Sequence, residues 1–416
     1  MDTQVFVYVD WEGEPALVGR LWSRARKGRE SATFEYDPTW LENPVRFSLE
    51  PALKVGPGPF HTGGGKALFG ALGDSAPDRW GRVLMRRAER QRASAQGQAP
   101  RTLLEVDYLL MVTDEARQGA LRFTTEEGGA FLAPSDQRAI PPLIDLPKLL
   151  SASEKVSEDP DAEEELRLLL APGSSLGGAR PKASVRDKDG HLAIAKFPHK
   201  EDETDAVLWE AVALSLAEKA GIEIPEFRIE VVAGRNVIIL RRFDRVGGTR
   251  RPFLSAMSML DAKDNEHHSY LEIADSLRQH GARAKDDLHQ LWRRMVFNVL
   301  ISNTDDHLRN HGFLYESTSG WVLSPAYDLN PVPTDIKPRV LSTSIDLDDN
   351  SASLDLAMEN ADYFELSSAD ALAIAKEVGN AVASWRDEAA GYGLKAAEIN
   401  RMASAFEHDD LKQAIS

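Results

Sequence analysis

The sequence contains no cysteine among its 416 residues. Disulfide bonds and thiolate-ligated metal sites are therefore excluded, and a reducing compartment, the cytoplasm, is the expected location. Long apolar runs are also missing, because no uninterrupted hydrophobic segment approaches the ~20 residues that a membrane-spanning helix needs. The first residues, MDTQVFVYVDWEGE, carry no basic segment before their short apolar run, which predicts a strand and a turn and argues against a signal peptide.

Positive charge is scarce as well. The chain has 49 lysine and arginine residues against 66 aspartate and glutamate residues, a net charge of −17. Such a surface repels nucleic-acid phosphates, so we do not expect the chain to bind DNA by broad electrostatic attraction on its own. A hydrophobic content of 42% and a charged content of 28% indicate a folded, globular protein. The length suggests two or three domains.

The apolar pattern predicts a mixed α/β first half and a helical second half. In the first half, VFVYVDWEGEPALVGRLW predicts a hairpin turning at Glu12–Gly13, HLAIAKFP predicts a buried strand, and a second hairpin is predicted to turn at Gly234–Arg235. In the second half, DDLHQLWRRMVFNVLISN predicts a buried amphipathic helix, with one face formed by Leu288, Leu291, Trp292, Met295, Val296, Val299 and Leu300.

The polar stretch NTDDHLRN (303–310) follows that helix and places four residues between Asp305 and Asn310. Two predicted strands joined by a Ser/Gly turn then lead to Asp328. The spacing D-x-x-x-x-N alone is weak, because roughly one match is expected by chance in a chain of this size and a capped turn also explains it. An aspartate, four residues, an asparagine, a hairpin and a second aspartate is the order in which protein kinases present a base and two metal ligands.

The residue types suit phosphoryl transfer. A carboxylate is needed to orient the substrate hydroxyl and to accept its proton, and Asp305 is the candidate for this catalytic base. Mg²⁺ prefers oxygen ligands, so the amide oxygen of Asn310 and the carboxylate of Asp328 are the candidate metal ligands.

Two histidines in the same stretch, His307 and His311, have the spacing of metal ligands on a helix. Without cysteine or an H-E-x-x-H pattern, a zinc site is not expected. We instead expect His307 to brace the loop, and Asp306 and Arg309 to face solvent or contact substrate.

A nucleotide site would need a cation for the phosphates upstream of this loop. Lys196 ends the apolar strand LAIAK, and Glu210 lies on the next predicted helix as its expected ion-pair partner. A lysine at a strand end is commonly just a solvated charge. The order of strand lysine, helix glutamate, hairpin, helical region and D-x-x-x-x-N motif nevertheless favours ATP binding.

Two further segments are candidates for nucleotide contacts. The loop PGSSLGGARPK (172–182) contains Gly177 and Gly178, whose backbone N–H groups can approach an anion, although it matches neither a Walker motif nor G-x-G-x-x-G. The connector ILRRFDR is the candidate adenine-binding hinge, with backbone groups of Arg241 to Phe243 facing the base; a plain core role for Phe243 is the alternative.

Together, SSLGGARPKA, AIAKFP, AEKAGIEIP, RRFDR, NTDDHLRNHGFL and PAYDLNP resemble the HipA-like serine/threonine kinases, the toxins of bacterial type II toxin–antitoxin pairs. The resemblance covers most of the chain. It implies an α+β, protein-kinase-like two-lobe fold with a mixed α/β N-terminal lobe and an all-helical C-terminal lobe. The expected divisions are an N-terminal subdomain (1–150), an ATP-binding region (151–245) and a helical lobe with the catalytic and metal-binding loops (246–416).

The resemblance also implies an activity and partners. The family phosphorylates proteins on serine or threonine with ATP and Mg²⁺, and its known targets are aminoacyl-tRNA synthetases, above all the glutamyl enzyme. Such phosphorylation inhibits translation and induces dormancy. A HipB-like helix-turn-helix antitoxin would neutralise the kinase and bind the operator DNA, with this chain as corepressor, so a chain of charge −17 would reach DNA only through that partner.

By this resemblance, Asp305 corresponds to the catalytic aspartate, Asn310 and Asp328 to the Mg²⁺ ligands, and Lys196 to the phosphate-binding lysine. Ser175 corresponds to the loop serine whose autophosphorylation silences the enzyme.

The sequence departs from the family pattern in two places. Ser174 adjoins Ser175, so either serine is a candidate for modification. Arg241 occupies a hinge position where the best-known member has glutamate, so only the backbone contacts carry over directly.

Two alternative functions remain. A small-molecule or phosphoinositide-type kinase also uses a loop similar to DDHLRN, although an acidic chain without a basic membrane-facing helix argues against a lipid substrate. A catalytically inactive kinase that acts only as a corepressor partner is the other alternative, and mutation of Asp305 distinguishes it, because a pure binding module would be unaffected.

Overall fold

The structure, a computed structural model, describes residues 2–132, 140–159, 162–170, 180–316 and 319–416. The chain divides into two compact units. The first comprises Met1–Lys200 and Glu230–Leu254, and the second comprises Glu201–Ile229 and Ser255–Ser416. The expected three-part division at residues 150 and 245 stays a prediction.

The described strands, in chain order, are β1 (Asp2–Trp11), β2 (Glu14–Arg26), β3 (Arg29–Tyr36), β4 (Pro59–His61), β5 (Leu121–Thr124), β6 (Lys182–Arg186), β7 (Leu192–Lys196), β8 (Phe227–Val232), β9 (Arg235–Arg241), β10 (Arg245–Val246), β11 (Thr249–Arg250), β12 (Phe253–Ser255), β13 (Gly312–Tyr315) and β14 (Trp321–Leu323). The first five form an antiparallel sheet in the order β4-β3-β2-β1-β5, and a second sheet has the order β6-β7-β9-β8.

The described α-helices are α1 (Pro38–Glu42), α2 (Gly70–Asp74), α3 (Arg79–Ala95), α4 (Glu105–Met111), α5 (Leu146–Glu158), α6 (Glu163–Leu170), α7 (Ala206–Lys219), α8 (Ala256–Met259), α9 (Tyr270–His280), α10 (Ala284–Leu300), α11 (Leu354–Glu359), α12 (Ser368–Ala383), α13 (Trp385–Gly391), α14 (Ala396–Arg401), α15 (Ala403–Phe406) and α16 (Asp409–Ile415). In the described ranges, no helix combines the length and the apolar character needed to cross a membrane.

Both hairpins expected in the first half are present. The β1–β2 turn lies at Glu12 and Gly13, which have φ angles of 52° and 91°, as two-residue hairpin turns of the primed type require. The β8–β9 turn places Ala233 and Gly234 at positive φ angles of 48° and 76°, one residue earlier than predicted. The reason is the same backbone requirement, since both central residues of such a turn must adopt positive φ.

The second unit is built around α10, and every apolar residue predicted for its buried face is fully buried. The neighbouring α7 begins after its N-cap Asp205 and is followed by Gly221 at a φ of 73°, the left-handed conformation that commonly ends a helix. Trp209 of α7 packs against Trp385 and Phe406, with ring centroids 6.3 and 6.2 Å away. The unit is mainly helical, and it also contains the β13–β14 hairpin that the sequence predicts before Asp328.

A buried charge cluster lies at the end of β9 in the first unit. The carboxylate of Asp244, 4% exposed, accepts hydrogen bonds from Arg242 Nε at 2.8 Å, Arg245 NH1 at 2.7 Å and the Gly119 backbone N–H at 2.7 Å. Arg245 also donates to the Arg117 carbonyl at 2.6 Å. Asp244 therefore holds the segment that follows β9 against the loop around Gly119.

Replacing Asp244 by asparagine is expected to destabilise the first unit by about 3–5 kcal/mol, because Arg242 and Arg245 would remain buried without their counter-charge. Urea denaturation measures this loss. Asp189→Asn, at an exposed position of the same unit, is the matched control and is expected to change the free energy of unfolding by less than about 0.5 kcal/mol. Equal stability of the two variants would contradict the role given to Asp244.

The loss of unfolding free energy caused by Asp244→Asn should depend on pH. Burial alone would raise the pKa of Asp244, but Arg242 and Arg245 outweigh burial and hold the pKa below its ordinary value. A carboxyl whose folded pKa is lowered stabilises the fold above its unfolded pKa, near 4, and loses this contribution as the pH falls further. The stability gap between the wild type and Asp244→Asn should therefore be widest near neutral pH and narrow below about pH 4.

Candidate catalytic site

The polar loop predicted to carry the chemistry is anchored directly on α10. That helix ends at Leu300, and Ser302 adopts a left-handed φ of 51° that turns the chain away from the helix axis. The hydroxyl of Ser302 donates to the Ala405 carbonyl at 2.8 Å, and the Asn303 backbone N–H donates to the Asn298 carbonyl at 2.9 Å. The start of the loop is thus tied to two helical segments of the second unit.

Asp305 presents its carboxylate to solvent, with a side chain that is 72% exposed. The ammonium of Lys337 lies 3.8 Å from its Oδ1 and donates to the neighbouring Thr304 carbonyl at 3.1 Å. An accessible carboxylate on an anchored loop can accept a proton from a bound hydroxyl. Lys337 was not predicted, because it lies 32 residues along the chain in a segment, PTDIKP, that carries no recognisable motif.

Asn310 lies at the other end of the spacer and is 9% exposed. Its Nδ2 donates to the Asp305 carbonyl at 3.2 Å, so the two ends of the D-x-x-x-x-N motif are joined directly. Because the amide nitrogen takes part in this bond, the amide oxygen is the atom left to bind a cation.

Asp328 has a backbone conformation that is unusual for a residue with a side chain, a left-handed φ of 59°. Such a conformation costs on the order of 1–3 kcal/mol and tends to occur at functional sites. The preceding residue, Tyr327, donates its hydroxyl to the Arg309 carbonyl at 2.7 Å. This bond connects the segment that carries Asp328 to the segment that carries Asn310. Their roles as metal ligands stay a prediction.

The predicted phosphate-binding lysine and its partner lie in different compact units. Lys196 ends β7 in the first unit, partly buried, and is paired in register with Lys182 of β6 and Ile238 of β9. Glu210 lies on α7 in the second unit and is 4% exposed. The expected ion pair between Lys196 and Glu210 stays a prediction. Lys182 was missed by sequence reasoning; it is a buried lysine paired with Asp78 at 2.8 Å.

The proposed hinge follows the alternation of an extended chain. Arg242 and Asp244 are buried in the charge cluster, whereas Arg241 and Phe243 point the other way and are partly exposed. The Phe243 ring lies 6.3 Å from that of Phe253. The contact of Arg241 and Phe243 with a base stays a prediction.

The glycine-rich phosphate loop lies outside the described residues. This applies to Gly177 and Gly178 and to both candidate modification sites, Ser174 and Ser175. Their predicted roles remain untested.

One expectation about the loop is wrong, and a second is met through the backbone of His307 and not through its side chain. Asp306 does not face solvent; it is 2% exposed and accepts hydrogen bonds from the Tyr270 hydroxyl and from His311, whose Nε2 lies 3.1 Å away. The side-chain hydrogen bond to the loop comes from His311, since Nδ1 of His307 has no partner in the described part of the chain. His307 supports the loop through its backbone, whose N–H donates to the Asp305 carbonyl at 2.9 Å and whose carbonyl accepts from the Asn310 N–H at 2.8 Å. Burial, followed by the charge of Asp306, raises the pKa of Tyr270 well above its ordinary value. Tyr270 lies 36 residues away from Asp306, so no local pattern could have revealed the pairing.

A second group of potential metal ligands occurs in the turn between β6 and β7, where side-chain ligand atoms of Asp187, Asp189 and His191 lie within 4.8 Å of one another. The Asp187 carboxylate accepts the backbone N–H groups of Asp189 at 3.0 Å and His191 at 2.8 Å. This local turn explains the clustering without a metal ion.

The chain matches two protein-family models and resembles a solved structure. Residues 174–385 match the family model described as HipA-like C-terminal domain, and residues 9–124 match the model described as HipA N-terminal domain. HipA of Shewanella oneidensis MR-1, solved with HipB and its operator DNA, has a TM-score of 0.65 at 15% identity, covering 99% of this chain and 96% of that chain. This likeness shows a shared fold and confirms the predicted fold class.

Two curated relatives have higher sequence identity to this chain over shorter spans. "Putative kinase Y4mE" of Sinorhizobium fredii is 24% identical over 359 residues, which cover 77% of this chain and 75% of that protein. A "Putative kinase" of Haemophilus influenzae is 27% identical over 187 residues, 39% of this chain and 54% of the relative. The chain therefore spans about half the length of the Haemophilus protein.

The two adjacent aspartates of the loop should differ sharply in their contribution to stability. Asp305→Ala is expected to change the free energy of unfolding by less than about 0.5 kcal/mol, because the side chain is solvated. Asp306→Ala is expected to cost about 2–5 kcal/mol, because the buried donors of Tyr270 and His311 would lose their acceptor. Urea denaturation of both variants tests this contrast, and similar losses would contradict the burial assigned to Asp306.

Proposed function

Because this chain belongs to the HipA family, we propose that it is an ATP- and Mg²⁺-dependent serine/threonine-protein kinase that acts as the toxin of a toxin–antitoxin pair. The observation that carries the proposal is the anchored loop, in which an exposed Asp305 is hydrogen-bonded to Asn310, and the Asn310 segment is joined to the Asp328 segment through Tyr327. The names of the two curated relatives support the kinase assignment.

The donor groups fit a magnesium ion. Asn310 and Asp328 offer an amide oxygen and a carboxylate oxygen, the hard ligands that Mg²⁺ prefers. The Nε2 atom of the neighbouring His311 is engaged with Asp306 at 3.1 Å. When bound, Mg²⁺ would neutralise the negative charge of the ATP phosphates during transfer.

The protein residues would then position the reactants. Asp305 would orient the hydroxyl of a substrate serine or threonine and accept its proton as the oxygen attacks the terminal phosphorus of ATP. The bond from that phosphorus to the bridging oxygen would break, and ADP would leave. Lys337, beside Asp305, would keep this carboxylate oriented through its bond to the Thr304 carbonyl. The geometric requirement is a fixed distance between the base and the metal ligands, which an anchored loop can satisfy.

For the nucleotide, we assign Lys196, held by Glu210, to the phosphates, and the backbone of Arg241 to Phe243 to the adenine. Gly177 and Gly178 would cover the phosphates. Ser175, or its neighbour Ser174, would be the site of inhibitory autophosphorylation. These assignments follow the family pattern.

The proposed partners also follow the family. The Shewanella HipA structure contains HipB and operator DNA, which supports a HipB-like antitoxin for this chain and DNA association through it. The net charge of −17 agrees with an indirect association. The proposed protein substrate is an aminoacyl-tRNA synthetase of the glutamyl type.

Asp305→Asn is expected to lower phosphoryl transfer by about 10²–10⁴-fold, because the base is removed while the size and polarity of the side chain are kept. The assay incubates purified protein with Mg²⁺ and labelled ATP, with and without cell lysate. Label on Ser174 or Ser175 and on one lysate protein, both lost in the variant, supports the proposal. The control is Asp348→Asn, an exposed aspartate of the same unit, which should label as the wild type does.

The same assay separates the alternatives. Labelling that persists in Asp305→Asn contradicts the role of Asp305. Label that enters a small molecule and no protein favours a small-molecule kinase, and a wild type that transfers no label favours an inactive corepressor.

Asp328→Asn is expected to raise the Mg²⁺ concentration needed for half-maximal activity by on the order of tenfold or more, because one charged oxygen ligand is replaced by a neutral one. Asparagine also tolerates the left-handed backbone of this position, so the fold is preserved. A magnesium titration of the labelling rate measures the change. An unaltered magnesium requirement would remove Asp328 from the metal site.

A further inference from the structure

A buried hydrogen-bonded group lies directly beneath the catalytic loop. Tyr270 of α9 is completely buried, and Asp306 and His311 are each 2% exposed. The Tyr270 hydroxyl donates to Asp306 Oδ2, and His311 Nε2 lies 3.1 Å from the same oxygen atom. The Tyr270 ring also packs edge-on against the His311 ring, with centroids 5.2 Å apart and an interplanar angle of 76°.

Two further hydrogen bonds connect this group to α10. Asn298 of α10 donates from Nδ2 to the Tyr270 hydroxyl at 3.0 Å, and Asn303 donates from Nδ2 to Asn298 Oδ1 at 3.1 Å. Both asparagines are 1% exposed. The loop is therefore connected through buried side chains to two packed helices, α9 and α10.

The positions of Asp306 and His311 in the loop are informative. Asp306 follows the proposed base Asp305, and His311 follows the proposed metal ligand Asn310. Asp306 therefore lies at the Asp305 end of the D-x-x-x-x-N motif. Its Oδ2 atom is hydrogen-bonded to His311, which lies at the Asn310 end. Neither end can shift without leaving a buried polar group unpaired, which is unfavourable because that group has already lost its hydrogen bonds to water.

We infer that Tyr270, Asp306 and His311 form a clamp of positioning residues that sets the separation between the proton-accepting carboxylate of Asp305 and the amide oxygen of Asn310. The inference rests on the proposed function and adds to it, since none of the three clamp residues is assigned contact with substrate or nucleotide. Tyr270 is the part of the clamp that comes from outside the loop.

The first test replaces Tyr270 by phenylalanine, which keeps the ring and removes the hydroxyl. The turnover number, kcat, is expected to fall about 10–100-fold while KM for ATP stays within about twofold, because misplacement of the base affects transfer more than nucleotide binding. The matched control is Tyr363→Phe. Tyr363 also donates to an aspartate on α9, Asp275, at 2.8 Å, but lies outside the loop, and its variant should keep the wild-type kcat.

The second test measures the loop without relying on catalysis. Hydrogen exchange of backbone amides in residues 303–311 should become at least about tenfold faster in Tyr270→Phe and remain unchanged in Tyr363→Phe. If the wild type transfers no phosphate, the proposed function fails, and the exchange comparison still decides whether the clamp holds the loop. Equal exchange and equal kcat in the wild type and Tyr270→Phe overturn the inference.

Two variants at His311 test the same inference independently, in case the Tyr270→Phe variant does not fold. His311→Leu removes the donor to Asp306, whereas His311→Gln can place an amide N–H near the position of Nε2. His311→Gln should recover most of the exchange protection and of the kcat that His311→Leu loses. Equal losses in the two variants would show that the hydrogen bond does not position the loop, and would overturn the inference.

Discussion

A carboxylate that leaves water must find hydrogen-bond donors, and in each compact unit one buried aspartate arranges the loops around it. Asp244 gathers two arginines and a backbone N–H in the first unit, and Asp306 gathers a tyrosine and a histidine in the second. Because an unpaired buried charge costs several kcal/mol, the segments that supply these donors have little freedom to move. Irregular segments thereby acquire the rigidity that is usual for helices and strands.

Neighbouring residues of the proposed catalytic loop differ in their exposure to solvent. The side chain of Asp305 is 72% exposed, so its carboxylate is accessible from solvent, whereas Asp306, the next residue, is buried and hydrogen-bonded inside the protein. A similar difference occurs in the proposed hinge, where Arg241 is partly exposed and Arg242 is buried. Arg241 ends the strand β9, and successive side chains of an extended segment point in opposite directions, so one can face a ligand while the next faces the interior. Proposed function and stability thus depend on different residues of one segment.

Sequence reasoning succeeded where the determining contacts are local or periodic. The apolar face of α10 and the hairpins follow from repeating apolar positions and from the backbone preferences of the turn residues. The turn at Ala233 was misplaced by one residue, because several neighbouring residues can adopt the same turn. Asp306 was wrongly expected at the surface, because its partner Tyr270 is 36 residues away and no sequence pattern near Asp306 indicates this pairing.

The sequence by itself determined the elements and the order of the proposed catalytic residues: Lys196, Glu210, Asp305, Asn310 and Asp328 occur in the order that protein kinases use. Spacing along the chain is enough for this, since motif order is a one-dimensional property. Only the tertiary structure decided which polar residues are buried and which are exposed, that Lys337 lies beside Asp305, and that the side chain of His311 is hydrogen-bonded to Asp306. Those outcomes depend on where the folded chain brings donors and acceptors together, which spacing along the sequence does not specify. For the buried groups a partner is required, because they have lost their contact with water.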